Sequence, residues 1–523
     1  MTDVVVIGSG PNGLVAANML AEAGLEVVVC EEQPTPGGAV RSAELTLPGF
    51  VHDECSAFYP FAAASPAIQR LDLERWGVRW RRAPLVLAHP TPDGPTAVLS
   101  QDVEETAASL EQFAPGDGEA WKRLSRFWDR AEEPFMKAFT TPFPPLRPAA
   151  ELAAALRVRG LLQFARLGVV PLRRFSDEHF AGPGGGLLLG GNALHADLTP
   201  ETPASTLFGL ILCGVGQRHG FPVPEGGAGR ITDALVKRLE AHGGHVECGA
   251  QVERIVVKAG RAAGVQTSQG RQIPAGVAVL ADTGAPQLYE QLLGPADRPR
   301  HVLARLRRFQ YDNSTIKLDW SLSAPIPWRS EAARRAGTVH LADSIDFLSD
   351  ATGALQRQTI PARPFLIFGQ YSMADPTRSP PGTETAWAYT HVPQGGRWDG
   401  PELEAFATRM EDEVERQAPG FRSLILGRSV LGPRELERAN RNLVGGAING
   451  GTAQLHQQLV FRPFPGTGRP ETAIPGLYLA SASAHPGGGV HGAPGAIAAR
   501  ALLNRCRLNG RLWRRARLGS PNR

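Results

Sequence analysis

Gly8, Gly10 and Gly13 stand in the spacing G-x-G-x-x-G, and Glu31 follows eighteen residues after the last of them. Glycines so placed allow a tight turn, a close backbone approach to a pyrophosphate, and close packing of helix on strand. A carboxylate at Glu31 can hydrogen-bond both hydroxyls of a ribose. It favours a free 2′-hydroxyl, as in FAD or NAD, over a 2′-phosphate. The chemistry on offer is dinucleotide binding.

The flanking residues must supply the elements that hold this set. Val4–Ile7 is an unbroken β-branched run, as in a parallel strand covered on both faces. A helix starting at the glycine turn and stopping at Gly24 aims its N-terminal N–H groups and positive dipole end at the phosphates. Residues 25–30 form a second strand, with Glu31 at its carboxyl end. Strand, turn, helix, strand and acid in this order give the context that a lone glycine motif lacks. Beyond the acid, Gly37 and Gly38 let backbone lie against a flat or anionic ligand, and Arg41 can pair with phosphate. Residues 49–60 mix aromatics with His52 and Ser56, either to line a pocket or to staple a loop.

At 523 residues the chain is too long for one compact core and implies two or more domains. Lys+Arg 55 against Asp+Glu 51 leaves +4, too balanced for a nucleic-acid partner. The five cysteines form no C-x-x-C, so neither a redox dithiol nor a metal site is indicated. Cys30 and Cys248 read as buried small hydrophobes, in keeping with a reducing, cytoplasmic setting. No signal peptide precedes the first strand, and the nearest thing to a membrane span, residues 207–215, is far too short. Arg505, Arg507, Arg511, Arg514, Arg515, Arg517 and Arg523 make a basic tail without an acid, either solvated or touching a membrane surface.

Residues 66–135 read as an insertion: helical at 66–76, strand-like at 78–80 and 85–88, then helical at 101–113 and 118–131 with Asp102 and Asp117 as caps. Residues 151–175 carry Arg157, Arg159, Arg166, Arg173 and Arg174 among apolar side chains. Such a segment either lies on an anionic membrane or caps a substrate cavity. The glycine-rich run 182–191 has no strand before it and no acid after it, and is rejected as a second nucleotide site. His195 and Asp197 are pocket candidates, with a capping or surface role as the plainer reading. From Pro222 come a loop, a helix with the stripe Ile231, Leu235 and Leu239, strands at 246–248 and 252–257, and a buried strand at 275–280. These are expected to extend the parallel sheet. Residues 314–322, 365–370 and 385–391 instead alternate apolar and polar, as antiparallel strands with one solvated or cavity-facing side, and 402–417 is helical. A strand near Leu479, a glycine loop at 485–495 and a helix from Ala496 then offer a second helix N-terminus.

Together with Gly37-Gly38 and Pro224-Glu-Gly-Gly-Ala-Gly229, the opening fingerprint and His485-Pro-Gly-Gly-Gly-Val-His-Gly-Ala-Pro-Gly495 complete a recognisable order. Over about residues 3–505 the chain resembles the FAD-dependent phytoene desaturase-like oxidoreductases, most of all the branch of pyridine nucleotide-disulfide oxidoreductase domain-containing protein 2. The resemblance implies an α/β fold. A Rossmann-type FAD-binding domain, with parallel sheet and helices, joins a mixed α+β substrate domain, as in phytoene desaturase and amine oxidase-like flavoproteins. The FAD-binding domain is expected from residues 1–65, 222–285 and 441–505, the substrate or cap domain from 66–221 and 286–440, and the basic tail from 506–523.

By the same resemblance Gly8, Ser9, Gly10, Asn12 and Gly13 cradle the pyrophosphate, and Glu31 holds the adenosine ribose. Gly37, Gly38 and Arg41 follow the cofactor toward the flavin. Val252 meets the adenine through its backbone, and Val490 and Gly492 sit by the isoalloxazine. With no C-x-x-C and no second dinucleotide fingerprint, oxygen or a quinone, not NAD(P)H, is the expected redox partner. The implied activity is dehydrogenation or desaturation. A C–H of a mostly apolar or unsaturated small molecule gives hydride to flavin N5 and leaves a double bond. His485 is the candidate base, on position alone. One alternative is amine or amino-acid oxidation, with Trp387, Tyr389 or Arg462 as aromatic cage or carboxylate ligand. A flavin-dependent isomerase without net redox is another. An FAD-stabilised partner-binding protein without turnover is the alternative of a different class.

Overall fold

The computed structural model describes residues 2–92, 94–396 and 398–508. Val4–Ile7 pairs in parallel with Val27–Cys30 on one side and Ala278–Ala281 on the other. His245–Glu247 and Leu477–Leu479 complete the two edges of this five-stranded parallel sheet. Its three central strands and the Leu477–Leu479 edge are apolar and buried because both faces are covered, whereas the His245–Glu247 edge is partly exposed. Val4, Val6, Val27 and Val29 share a core with the helices Pro11–Glu22, Gly229–Ala241 and Ala493–Leu508. The expected stripe of Ile231, Leu235 and Leu239 is fully buried there. Val5, Ile7, Val28 and Val279 face the other way, onto Ile255 and Val265.

That second cover corrects the reading of residues 252–257. Val252–Lys258, Arg261–Thr267 and Gln272–Pro274 form a separate antiparallel sheet of three strands and do not extend the parallel one. The reason is the short hairpin: two residues can reverse a chain, whereas a parallel neighbour needs a long crossover. Cys248, just past an edge strand, is exposed and not a core residue, while Cys30 is buried as expected.

A mixed seven-stranded sheet makes the other half, in the order Ile425–Leu431, Ser314–Leu322, Glu384–Val392, Leu366–Gln370, Ala336–Leu341, Leu85–Pro90, Thr96–Leu99. Only Ala336–Leu341 and Leu85–Pro90 pair in parallel. Of the two readings of the alternation in Ser314–Leu322, the cavity-facing one holds: every residue of the strand is buried, and Thr315 and Lys317 line the cavity described below. Ile316, Leu318 and Trp320 enter the core, and Thr315, Lys317 and Asp319 point toward the parallel-sheet half.

Helices cover the remainder. Asp102 caps Val103–Glu111 by accepting the Glu104 N–H at 2.9 Å. Asp117 is not a cap: its carboxylate accepts the N–H groups of Ala181 and Gly182, at 2.7 and 2.9 Å, and so ties the loop before Gly184–Ala193. The glycine-rich run is itself a buried helix, packed on Ser205–His219 so closely that a Cβ at Gly209 would lie 2.3 Å from the Leu189 carbonyl oxygen. The basic segment at 151–175 divides into Leu146–Leu167 and Leu172–His179, broken by Gly168 and Pro171. Among the described residues no helix is long and apolar enough to cross a membrane. Residues 509–523 of the basic tail lie outside the described residues.

The first and last helices cross in atomic contact. A Cβ at Gly495 would sit 1.9 Å from the Asn12 carbonyl oxygen. Gly495→Ala is therefore expected to cost about 1–3 kcal/mol by overpacking, read as a lower midpoint in chemical denaturation.

Candidate functional site

A cavity of about 1220 Å³ is lined by residues of both halves. It exceeds the roughly 300–1,000 Å³ usual for one small ligand, and so has room for a cofactor and a substrate together. Of the residues expected to hold a dinucleotide, Gly8, Gly10, Asn12, Glu31, Gly38, Val252 and Val490 line this cavity. Ser9, Gly13, Gly37, Arg41 and Gly492 stand behind them.

Ser9 ties the turn to the acid. Its hydroxyl donates to Glu31 Oε2 at 2.5 Å, its N–H donates to the same oxygen at 2.9 Å, and it accepts the Gly37 N–H at 3.1 Å. The other Glu31 oxygen accepts the Gln33 N–H at 2.9 Å, so the carboxylate is buried with a fixed orientation. A Cβ at Gly13 would lie 2.3 Å from the Gly8 carbonyl oxygen, which is how helix and strand come so close. Gly492 packs on Val15 in the same way. Arg41 is a correction. It does not line the cavity: its Nη2 pairs with Glu54 at 2.7 Å and donates to the carbonyl of Ala439, a lining residue, at 3.1 Å, while its Nε is buried without a partner.

The sequence reading overlooked Asp282, which ends the strand Ala278–Ala281 directly under the turn. Its Oδ2 accepts the Gly13 N–H at 2.9 Å, and a Cβ at Gly10 would meet it at 2.6 Å. Burial pushes this carboxyl up to about 7, with the Glu31 charge adding to the effect. The available signal was an acid at the carboxyl end of a buried strand beside the glycine turn, where α/β sheets place ligands. The set fits FAD: a helix start whose N-cap, Gly10, has no side chain to cap it, a carboxylate at the second strand's end, and the Asn12 Oδ1 buried at the cavity wall without a partner.

The other end of the cavity is aromatic. Phe58 and Trp387 lie 6.0 Å apart between ring centroids, Trp387 stacks on Tyr389 at 5.9 Å and 10°, and Tyr389 meets His195 edge-on at 6.4 Å. Lys317 also lines this space, its ammonium held by both oxygens of Asp319 and by the Asp53 carbonyl at 3.0 Å. Two other expected residues are elsewhere. Arg462 is buried with its guanidinium given to the carbonyls of Ala482, Thr452, Asn449 and Gly451, so it clasps loops and is not a carboxylate ligand. Burial alone pulls its pKa down to about 10. His485 does not line the cavity. Its Nε2 faces the Thr141 carbonyl at 3.2 Å, and burial lowers its pKa to about 4, so the geometry gives no support to a base there. Among the described residues no side-chain group is arranged to hold a metal.

Residues 6–71 match the NAD(P)-binding Rossmann-like domain family. The chain is 29% identical to pyridine nucleotide-disulfide oxidoreductase domain-containing protein 2 of Rattus norvegicus, over 95% of this chain and 92% of that one. It is 30% identical to hydroxyneurosporene desaturase of Rhodobacter capsulatus, over 96% and 98% of the two chains. Lycopene-forming phytoene desaturase of Pseudescherichia vulneris is 28% identical, over 96% and 99%. Two solved structures share the fold. An oxidoreductase from Methanosarcina mazei gives a TM-score of 0.62 at 18% identity, covering 96% of this chain and 100% of its own. Cyclohexylamine oxidase from Brevibacterium oxydans gives 0.58 at 14%, covering 97% and 99%.

Asp282 yields a signed pH effect. Its folded-state pKa of about 7 lies above the ordinary 3.8, so ionising it costs folding energy, a cost absent below pH 4 and complete above pH 7. Asp282→Asn should thus gain stability over the native protein progressively between pH 4 and 7, by on the order of a few kcal/mol. Denaturant unfolding across that range measures it.

Proposed function

The chain belongs to the phytoene desaturase-like family of FAD-dependent oxidoreductases, and from that membership we propose that it dehydrogenates an apolar or unsaturated small molecule, with oxygen or a quinone as final electron acceptor. The observation that carries this reading is the aromatic wall of Phe58, Trp387 and Tyr389 in the same cavity as the dinucleotide turn. Apolar surface buried against such a wall contributes about 25 cal/mol per Å². When bound, FAD supplies the hydride acceptor for conversion of a single to a double bond. The protein's part is binding and orientation. Gly8, Gly10 and Asn12 would hold the pyrophosphate, Glu31 the ribose, and Val252 and Val490 the two ring systems.

The rivals fare less well on this geometry. Arg462 is unavailable for an amino-acid carboxylate, because its guanidinium is given to backbone carbonyls. The stacked Trp387–Tyr389 pair still suits an amine in its neutral form, and that pair alone favours amine oxidation as a second reading.

The helix Leu146–Leu167 supports a peripheral membrane contact. It exposes Val158, Leu161 and Leu162 beside the exposed Arg157 and Arg159, and no residue of it lines the cavity. Cosedimentation with phosphatidylserine vesicles is expected at low salt and should fall at high salt. No binding at either salt would leave this face merely solvated.

The activity is tested by anaerobic mixing of the FAD-loaded enzyme with polyenes, amines and amino acids while the flavin absorbance is followed. Bleaching by a polyene, reversed by oxygen or a quinone, is the expected result. Bleaching by amines alone would contradict it.

A further inference from the structure

Three imidazoles run inward from the aromatic end of the cavity. His195 lines it, half-buried, and its Nε2 lies 2.9 Å from Nε2 of His340. The His340 ring in turn stands edge-on to His89, with centroids 5.8 Å apart, and both are fully buried. Gly191 makes the room, since a Cβ there would come within 2.2 Å of His340 Nδ1. Thr338 lies two residues before His340 on the strand Ala336–Leu341, hence on the same face. It also lines the cavity, and its Oγ1 is buried without a partner. A small neutral polar spot is thus built beside the aromatic rings of this wall.

A contact between two Nε2 atoms needs one hydrogen, so one ring donates and the other accepts. Burial keeps both neutral, lowering His195 to about 3 and His340 well below the usual range, with neighbouring imidazoles adding to it. Were His195 the donor, His340 would carry its own hydrogen on Nδ1, a buried atom without a partner. Were His340 the donor, the orphan would be a bare lone pair, and buried orphan N–H groups are the rarer and costlier kind. The second arrangement is favoured. It leaves the His195 hydrogen on Nδ1, to which no hydrogen bond is made among the described residues.

We infer that His195 is a specificity-determining donor whose Nδ1–H meets an oxygen of the substrate, while the aromatic wall takes the apolar remainder. The substrate class is then an apolar or unsaturated molecule bearing a carbonyl, hydroxyl or ether oxygen, a refinement that rests on the apolar-substrate reading of this cavity. His340 is a positioning residue: its Nε2–H fixes the His195 tautomer.

The test uses the FAD-loaded enzyme with two probes, the conjugated enone β-ionone and its deoxygenated hydrocarbon analogue, in equilibrium dialysis. The enone should bind about tenfold more tightly, as one hydrogen bond to a buried donor allows. His195→Phe should abolish that preference, and His195→Asn, which keeps a donor, should retain most of it. Should His195→Phe not fold, His340→Leu is expected to weaken the preference by freeing the tautomer. ¹⁵N NMR of the histidines, independent of any ligand, should show hydrogen on Nδ1 of His195 and on Nε2 of His340. A preference that survives His195→Phe, or a His195 protonated on Nε2, overturns the inference. Equal binding of both probes to the native enzyme overturns it too, and leaves the apolar reading standing. If neither probe binds, the apolar reading fails, and the NMR result still decides whether His195 is a donor.

Discussion

A buried carboxylate, Asp53, stands at the joint between the two halves of this enzyme. Asp53 Oδ1 accepts the Ser42 hydroxyl and the Ala228 N–H, both at 2.8 Å, and Oδ2 accepts Arg378 at 2.7 Å. Ser42 and Ala228 belong with the parallel sheet, and Arg378 with the mixed one. The network continues on both sides. Arg378 lies 4.4 Å over the Tyr371 ring, Asp375 accepts the Gly226 N–H at 2.7 Å, and Lys317 bridges the Asp53 carbonyl to Asp319. Burying such charges costs several kcal/mol each, and well-packed apolar residues would often be as stable. What the network confers is geometry. It sets the mixed sheet over the carboxyl ends of the parallel strands, with Lys317 in the cavity wall, and removing one partner would cost about 3–5 kcal/mol.

On that joint, the division of labour follows from the chemistry of the two walls. The parallel-sheet side offers backbone N–H groups, the buried carboxylate of Glu31 and glycines that admit a ligand to contact distance. The mixed-sheet side offers ring faces and a few polar groups, with the Lys317 ammonium already neutralised by Asp319. On the proposed reading one wall would hold the dinucleotide and the other an apolar partner. The flavin brings the reactivity, and the protein decides what is held beside it.

How much of this the sequence revealed depends on how local each signal is. The opening strand, turn, helix and acid lie within thirty-one residues, and the structure places Gly8, Gly10 and Glu31 together on the cavity as their spacing suggests. Asp282 belongs to the same turn but sits 269 positions from Gly13, so only a strand end was visible. The helix Gly184–Ala193 was obscured by its glycines, which signal loops in isolation and here permit contact with Ser205–His219. Alternation in Ser314–Leu322 correctly suggested a strand with a cavity-facing side, but not that Lys317 and Asp319 on that side would be tied into an ionic joint. Arg462 and His485 were plausible by residue type and position, and both prove occupied with backbone carbonyls. Residue type shows what a side chain can do; its partners, set by distant parts of the chain, decide what it does.

The central claim is that the turn at 8–13, Glu31 and the cavity beside them recognise FAD through its adenosine half. Titration calorimetry of the apoprotein with FAD and then with FMN, which lacks that half, tests it most directly. FAD should bind once per chain, with FMN weaker by roughly tenfold to a hundredfold, the worth of charge-assisted hydrogen bonds to one ribose. FMN binding as tightly as FAD would contradict it.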